Sequence, residues 1–389
     1  MKFLLLILCI IKRIEISSQY KYEIKRDNKY FSHPYIKICY GQPQQCLNTV
    51  IDLFSKISCV SDYNVDQNPN SYQIEKSSTV VKTDQLNTLF FQDGSVTGKE
   101  IKEQFLPDST IKMTFLLIQW FTLEREQFDN LLGLQMKSFA NETEQEVYSV
   151  LDFLQKNKVI TRKIFTLTPE YFYLGEIPPE VKKNYNILKR CKSNQYYNAW
   201  NCPMIMLDTQ DKKMSLKFDS TDTLVKFYTR KDGISAPKDY GLLIIDHFLG
   251  NQYLKEHCRK ESVYQEARTM KCTKDIKQYI KYIDGLDFYI SSEIILQVNN
   301  DVLFKENMEG GYDFILTAYD ISYWEFGDDV IRKESMMFDM DNYEIGFIRV
   351  SHDNNGTLKK LMIFIFIIAL LGIVVLIASF YRYKTYNLY

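Results

Sequence analysis

Two aspartates close comparable apolar runs in the two halves of the chain. Asn48-Thr-Val-Ile51 leads into Asp52, and Gly241-Leu-Leu-Ile-Ile245 leads into Asp246. Each is followed at the same distance by a glycine, since 133 − 52 = 81 and 327 − 246 = 81. Carboxylates at matching points of a duplicated body would meet across a pseudo-two-fold axis. Two carboxyls that close cannot both ionise, so they hold one proton between them, and one serves as acid while the other serves as base. Such a pair titrates as a unit.

Other chemistries find little support. The four histidines are His33, His247, His257 and His352, and none stands at His-Glu-x-x-His spacing. With no Cys-x-x-Cys either, a metal site is not expected. His257-Cys258 are neighbours in sequence, which rarely face each other, and Cys258 is better used in a disulfide. Gly94-Ser-Val-Thr-Gly98 is not the Gly-x-Ser-x-Gly elbow, and no phosphate-cradling glycine loop is present. With 48 basic and 49 acidic residues the net charge is 48 − 49 = −1. That balance argues against a nucleic-acid partner.

The elements that must position the aspartates are mostly strands. Tyr35-Ile-Lys-Ile-Cys-Tyr40 alternates and stops at Gly41-Gln-Pro43, and Asn48–Ile51, Lys163–Leu167, Tyr171–Leu174 and Gly241–Ile245 read as buried strands. Helical periodicity is confined to short stretches, chiefly Glu144 to Lys156, where Val147, Val150, Leu151 and Leu154 share a face. Trp120, Trp200 and Trp324 sit in apolar strand contexts and read as core. Many short strands with few helices predict a mainly β body. Glycine is scarce, 15 in 389 residues, against a usual ~7%.

Both ends read as membrane-directed. Lys2, the nine apolar residues Phe3–Ile11 and the small residues Ser17-Ser18 suit a signal peptide over residues 1–18. Residues 361–380 are twenty in a row without a charge, long enough at ~1.5 Å per residue to span a ~30 Å hydrocarbon core. The expectation is a type I single-pass protein of the cell surface or of a secretory or endolysosomal membrane. A linker would occupy 351–360 and a cytoplasmic tail 381–389. The cysteines outside the signal fit that compartment: their spacing favours Cys191–Cys202 and Cys258–Cys272 as local disulfides, with one pair among Cys39, Cys46 and Cys59. Asn141-Glu-Thr and Asn355-Gly-Thr are glycosylation sequons.

Several blocks, in the right order, resemble the pepsin family of aspartic peptidases. Tyr35 through Gly41-Gln-Pro43 to Val50-Ile-Asp52 is similar to the family's opening strand, turn and first catalytic aspartate. Phe91-Gln-Asp-Gly94-Ser-Val-Thr-Gly98 is similar to its flap hairpin, and Phe128-Asp-Asn-Leu-Leu-Gly-Leu134 to its Phe-Asp-Gly-Ile-Leu-Gly-Leu. Val150–Leu154 and Ile164–Leu167 fit the helix and strand that end the first lobe. Tyr323-Trp-Glu-Phe-Gly-Asp-Asp-Val-Ile-Arg332, Met337-Phe-Asp339 and Glu344-Ile-Gly-Phe347 look like the closing strands.

The resemblance covers roughly residues 30–350. It implies a two-lobed, mainly β body with a central cleft, the lobes spanning 19–169 and 170–350, followed by the transmembrane helix. It also implies Asp52 and Asp246 as the catalytic dyad. Phe91, Gln92, Asp93, Gly94, Ser55 and His247 would touch a peptide held extended in the cleft, with no cofactor. The family's Asp-Thr-Gly is degenerate here, as Asp52-Leu53-Phe54 and Asp246-His247-Phe248. In the family the threonines interlock beneath the dyad and the glycines let backbone pass close to the carboxylates. Two functions follow as expectations: a membrane-tethered aspartic endopeptidase, or an inactive homologue that keeps the cleft as a peptide- or protein-binding receptor.

Overall fold

The body is built from two copies of one strand unit joined by a shared sheet, as seen in a computed structural model. The residues described are 20–26, 33–91, 94–105, 111–123, 130–136, 149–175, 177–178, 189–197, 199–219, 223–263 and 267–348. Among them no helix is long and apolar enough to cross a membrane. The signal segment 1–18, the segments 351–360, 361–380 and 381–389, and the sequons at Asn141 and Asn355 lie outside the described residues.

In the first half Tyr35–Tyr40 and Gln45–Asp52 form an antiparallel hairpin, one-sided at its turn and buried on both faces where Tyr35 and Ile36 meet Val50 and Ile51. Gln45–Asp52 then runs parallel to Asn130–Gly133, with Asp52 opposite Gly133. Cys59–Ser61 pairs antiparallel with Asn130–Gly133 and parallel with Lys112–Leu123. The flap-like hairpin joins Val81–Phe91 to Gly94–Gln104, Phe91 facing Gly94 across the turn, while Gln92 and Asp93 lie outside the described residues. These strands complete a seven-stranded sheet.

The second half repeats the plan. Leu224–Phe227 runs parallel to Trp324–Phe326. Ile234–Pro237 pairs antiparallel with Trp324–Phe326 and parallel with Leu316–Tyr319. The run expected as a strand at Gly241–Ile245 is instead the middle of a helix, Lys238–Leu249. Its buried residues are Gly241, Ile244, Ile245 and Phe248, the i, i+3, i+4, i+7 spacing of one helical face.

A six-stranded antiparallel sheet joins the halves. Its order is Lys21–Glu23, Tyr171–Leu174, Ile164–Leu167, Ser335–Asp339, Glu344–Ile348 and Lys189–Lys192. At its centre Phe165 stacks on Phe338 at 4.7 Å, with Trp200 edge-on to Phe338 at 5.2 Å. Trp200 and Trp324 are fully buried core, whereas Trp120 is 49% exposed on the Lys112–Leu123 strand. The helix expected over 144–156 is present as Val150–Lys156, its first turn capped by the Ser149 hydroxyl accepting the Asp152 amide. Among the described residues three disulfides form, Cys39–Cys46, Cys191–Cys202 and Cys258–Cys272, and Cys59 is a buried thiol.

Candidate active site

The site lies where the two repeated units touch. Asp52 ends its strand fully buried, 1% exposed. Its Oδ1 accepts the Phe54 amide at 2.9 Å and its Oδ2 accepts the Ser55 hydroxyl at 2.5 Å. The loop that follows turns back because Gly133 has no side chain: a Cβ there would stand 2.7 Å from the Ser55 carbonyl oxygen and 2.8 Å from that of Ile57.

Gly327 does the same task in the second half. A Cβ on it would stand 2.2 Å from the Lys231 carbonyl oxygen. Ser55 is three residues after Asp52, and Lys231 is three residues after Tyr228. The strand register agrees, because Phe227 pairs with Phe326 and the Tyr228 amide donates to the Phe326 carbonyl, bringing Tyr228 opposite Gly327. Two independent observations therefore align Asp52-Leu53-Phe54-Ser55 with Tyr228-Thr229-Arg230-Lys231.

Asp246, expected as the second carboxylate, stands elsewhere. It lies on the Lys238–Leu249 helix with its side chain 58% exposed, and its Oδ1 is 2.5 Å from the Lys260 ammonium. His247 lies beside it on the same helix, its ring edge-on to Phe248. Neither residue ends a strand of the repeated unit. The equal 81-residue offsets are a coincidence of spacing, since the register gives 327 − 228 = 99 in the second half.

Thr229 keeps the family's interlock from one side. Its hydroxyl donates to the Ile51 carbonyl and accepts the Leu53 amide at 3.3 Å. Leu53, at the matching position, has no hydroxyl to reciprocate. The rings of Phe54 and Tyr228 pack across the junction at 5.5 Å. Trp200 donates its indole N–H to the Leu134 carbonyl at 2.7 Å, a further tie between the halves.

The charges around Asp52 are unlike those of a carboxylate pair. Arg230 Nη1 is 3.6 Å from Asp52 Oδ2, with both side chains largely buried. Burial holds the Tyr228 hydroxyl well above the ordinary tyrosine range, and Glu325, Tyr323 and Asp52 push it the same way, so it stays neutral. Glu325, 2% exposed, pairs with the Lys231 ammonium. Lys226 stands opposite Glu325 in the parallel register. Burial lowers the Lys226 ammonium below the ordinary lysine range, against the opposing pull of Glu325.

No cluster of metal-ligating side chains occurs among the described residues. Sequence reasoning missed Tyr228, Thr229 and Arg230. The signal was the threonine after Leu224-Val-Lys-Phe-Tyr228, which preserves the middle of the triplet where its first residue has changed.

A duplicated strand unit, a buried aspartate at the end of one copy and a threonine clasp between them define a body of the acid-protease class. The profile of the eukaryotic aspartyl protease family matches residues 33–350, and the chain belongs to that family. No curated protein matches it.

Proposed function

We propose that this chain is a non-catalytic member of the aspartyl protease family that binds peptide or protein segments between its two halves. One observation carries the reading: Tyr228 occupies the register position matching Asp52, so a single carboxylate faces an arginine where two carboxyls would share a proton. A phenol held neutral by burial does not act as the base that activates water near neutral or acidic pH. Arg230 and Phe54, in place of the family's two glycines, add bulk beside the remaining carboxylate. The three disulfides fit an oxidising compartment. With the apolar runs at 3–11 and 361–380, they support a body displayed outside the cell or in a lumen and anchored by its C-terminal segment.

The test is an acid proteolysis assay on the full chain in detergent, with denatured protein as substrate and a statine-type inhibitor as control. The expected result is no inhibitor-sensitive turnover between about pH 3 and 6, and the same null result for Asp52→Asn. Turnover that the inhibitor blocks and Asp52→Asn abolishes would restore the endopeptidase reading.

A further inference from the structure

Lys226 is a largely buried lysine whose ammonium, among the described residues, meets aromatic rings and no bonded anion. The residue is 8% exposed, and among the described residues no carboxylate stands at ion-pair distance from its ammonium. Its contacts are aromatic: Nζ lies 3.4 Å from the ring centroid of Tyr323 and 5.3 Å from that of Tyr197. Cation–π attraction of this kind offsets part of the cost of leaving water but supplies no acceptor. Glu325, the nearest acid in the strand register, is bonded to Lys231.

Position gives this cation a use. Alternation along Leu224–Phe227 sends Val225 and Phe227 into the core and Lys226 to the face it shares with Tyr228. Tyr228 packs on Phe54 at the junction of the halves. Lys226, Arg230 and Lys231 all lie on this strand or in the turn that follows it. Arg230 and Lys231 are each matched with an acid. Of the three, Lys226 is the one that meets aromatic rings with no carboxylate at ion-pair distance among the described residues.

Building on the reading of the chain as a peptide-binding body, we propose that Lys226 recognises a carboxylate carried by the bound peptide. The carboxylate would complete the ammonium's hydrogen bonding between the rings of Tyr323 and Tyr197. An acidic side chain and a free C-terminus offer the same group, and the experiment separates them.

The full chain in detergent is titrated into dye-labelled, amidated decapeptide pools in which one position is fixed as Glu, Gln or Lys. A further pool carries a free C-terminal carboxylate. The Glu pools, or the free-terminus pool, are expected to bind about tenfold more tightly than the Gln pools. Lys226→Met should bring that ratio to about one, and Lys226→Arg should keep the preference. Lys226→Gln serves as a second neutral variant if the methionine disturbs folding. Equal binding of Glu, Gln and free-terminus pools by the wild type would overturn the inference, as would a preference that survives both neutral variants. Failure of every pool to bind would instead overturn the binding function on which it rests.

Discussion

Thr229 reaches across from the second half of the body and donates its hydroxyl to the carbonyl of Ile51, the residue before Asp52. The same oxygen accepts the Leu53 amide, so one side chain satisfies two buried backbone groups of the opposite half. The matching clasp from Leu53 is missing. The clasp beneath the junction therefore rests on one threonine where a symmetric body would use two.

Thr229→Val should strand the Ile51 carbonyl and the Leu53 amide together. Each buried unsatisfied group costs roughly 1–3 kcal/mol, so a loss of about 3 kcal/mol is expected. Urea unfolding of the wild type, Thr229→Val and Thr229→Ser checks this, with the serine variant staying within about 1 kcal/mol of wild type.

Asp52 and Arg230 should prove energetically coupled. Removing either alone leaves the other charge buried beside an apolar ring, and each single change, Asp52→Asn or Arg230→Met, is expected to lose about 2 kcal/mol or more. The double variant should lose less than the sum by about 1–2 kcal/mol. Strict additivity in a double-mutant cycle would mean that the 3.6 Å pair contributes nothing.

The two glycines that mark the repeated unit should behave alike. Gly133→Ala and Gly327→Ala each drive a Cβ into a backbone carbonyl oxygen, at 2.7 Å and 2.2 Å. Backbone cannot swing aside as a flexible side chain would, so both should destabilise by more than about 2 kcal/mol. Thermal melts of the two variants measure it, and a melting temperature like wild type for either would count against the alignment of Asp52 with Tyr228.

Glu103 gives the first half a pH signature. Burial alone would raise its carboxyl, but hydrogen bonds from the hydroxyls of Ser77, Thr79 and Tyr72 and from the Gln104 amide outweigh this and hold it below the ordinary carboxylate range. A depressed folded-state value stabilises the body above the unfolded value of ~4.3, and that contribution fades as pH falls through the folded value. Glu103→Gln should thus be less stable than wild type at pH 7, with the gap narrowing below about pH 4. A gap constant from pH 7 to pH 3 would remove this carboxylate from the account.

Much of the strand framework could be read from residue order. Tyr35–Tyr40 alternates because Ile36, Ile38 and Tyr40 turn into the core while Lys37 is exposed, and the closing blocks around Gly327, Phe338 and Gly346 carry strong local patterns. Asp52 and Gly133 were visible for the same reason. The second half of the site was hidden by the search for an acid. Gly241–Ile245 is a short apolar run, which periodicity cannot separate from a buried helix segment. Its extension to Phe248 carries the helical spacing that decides the matter. The true counterpart, Tyr228, has lost the functional group by which it would be recognised, and only strand register identifies it. The exposure of Trp120 was also illegible, since an apolar strand does not announce which of its faces lacks a covering layer.

The shared sheet sets a clock on biosynthesis. Ile164–Leu167 pairs with Ser335–Asp339, a strand made 335 − 164 = 171 residues later. At ~5–20 residues per second, ribosomes need roughly 10–30 s to supply it. Through that interval the nascent first half carries a β edge whose partner has not yet been made. A chaperone that masks such edges would have its work defined by this one pairing.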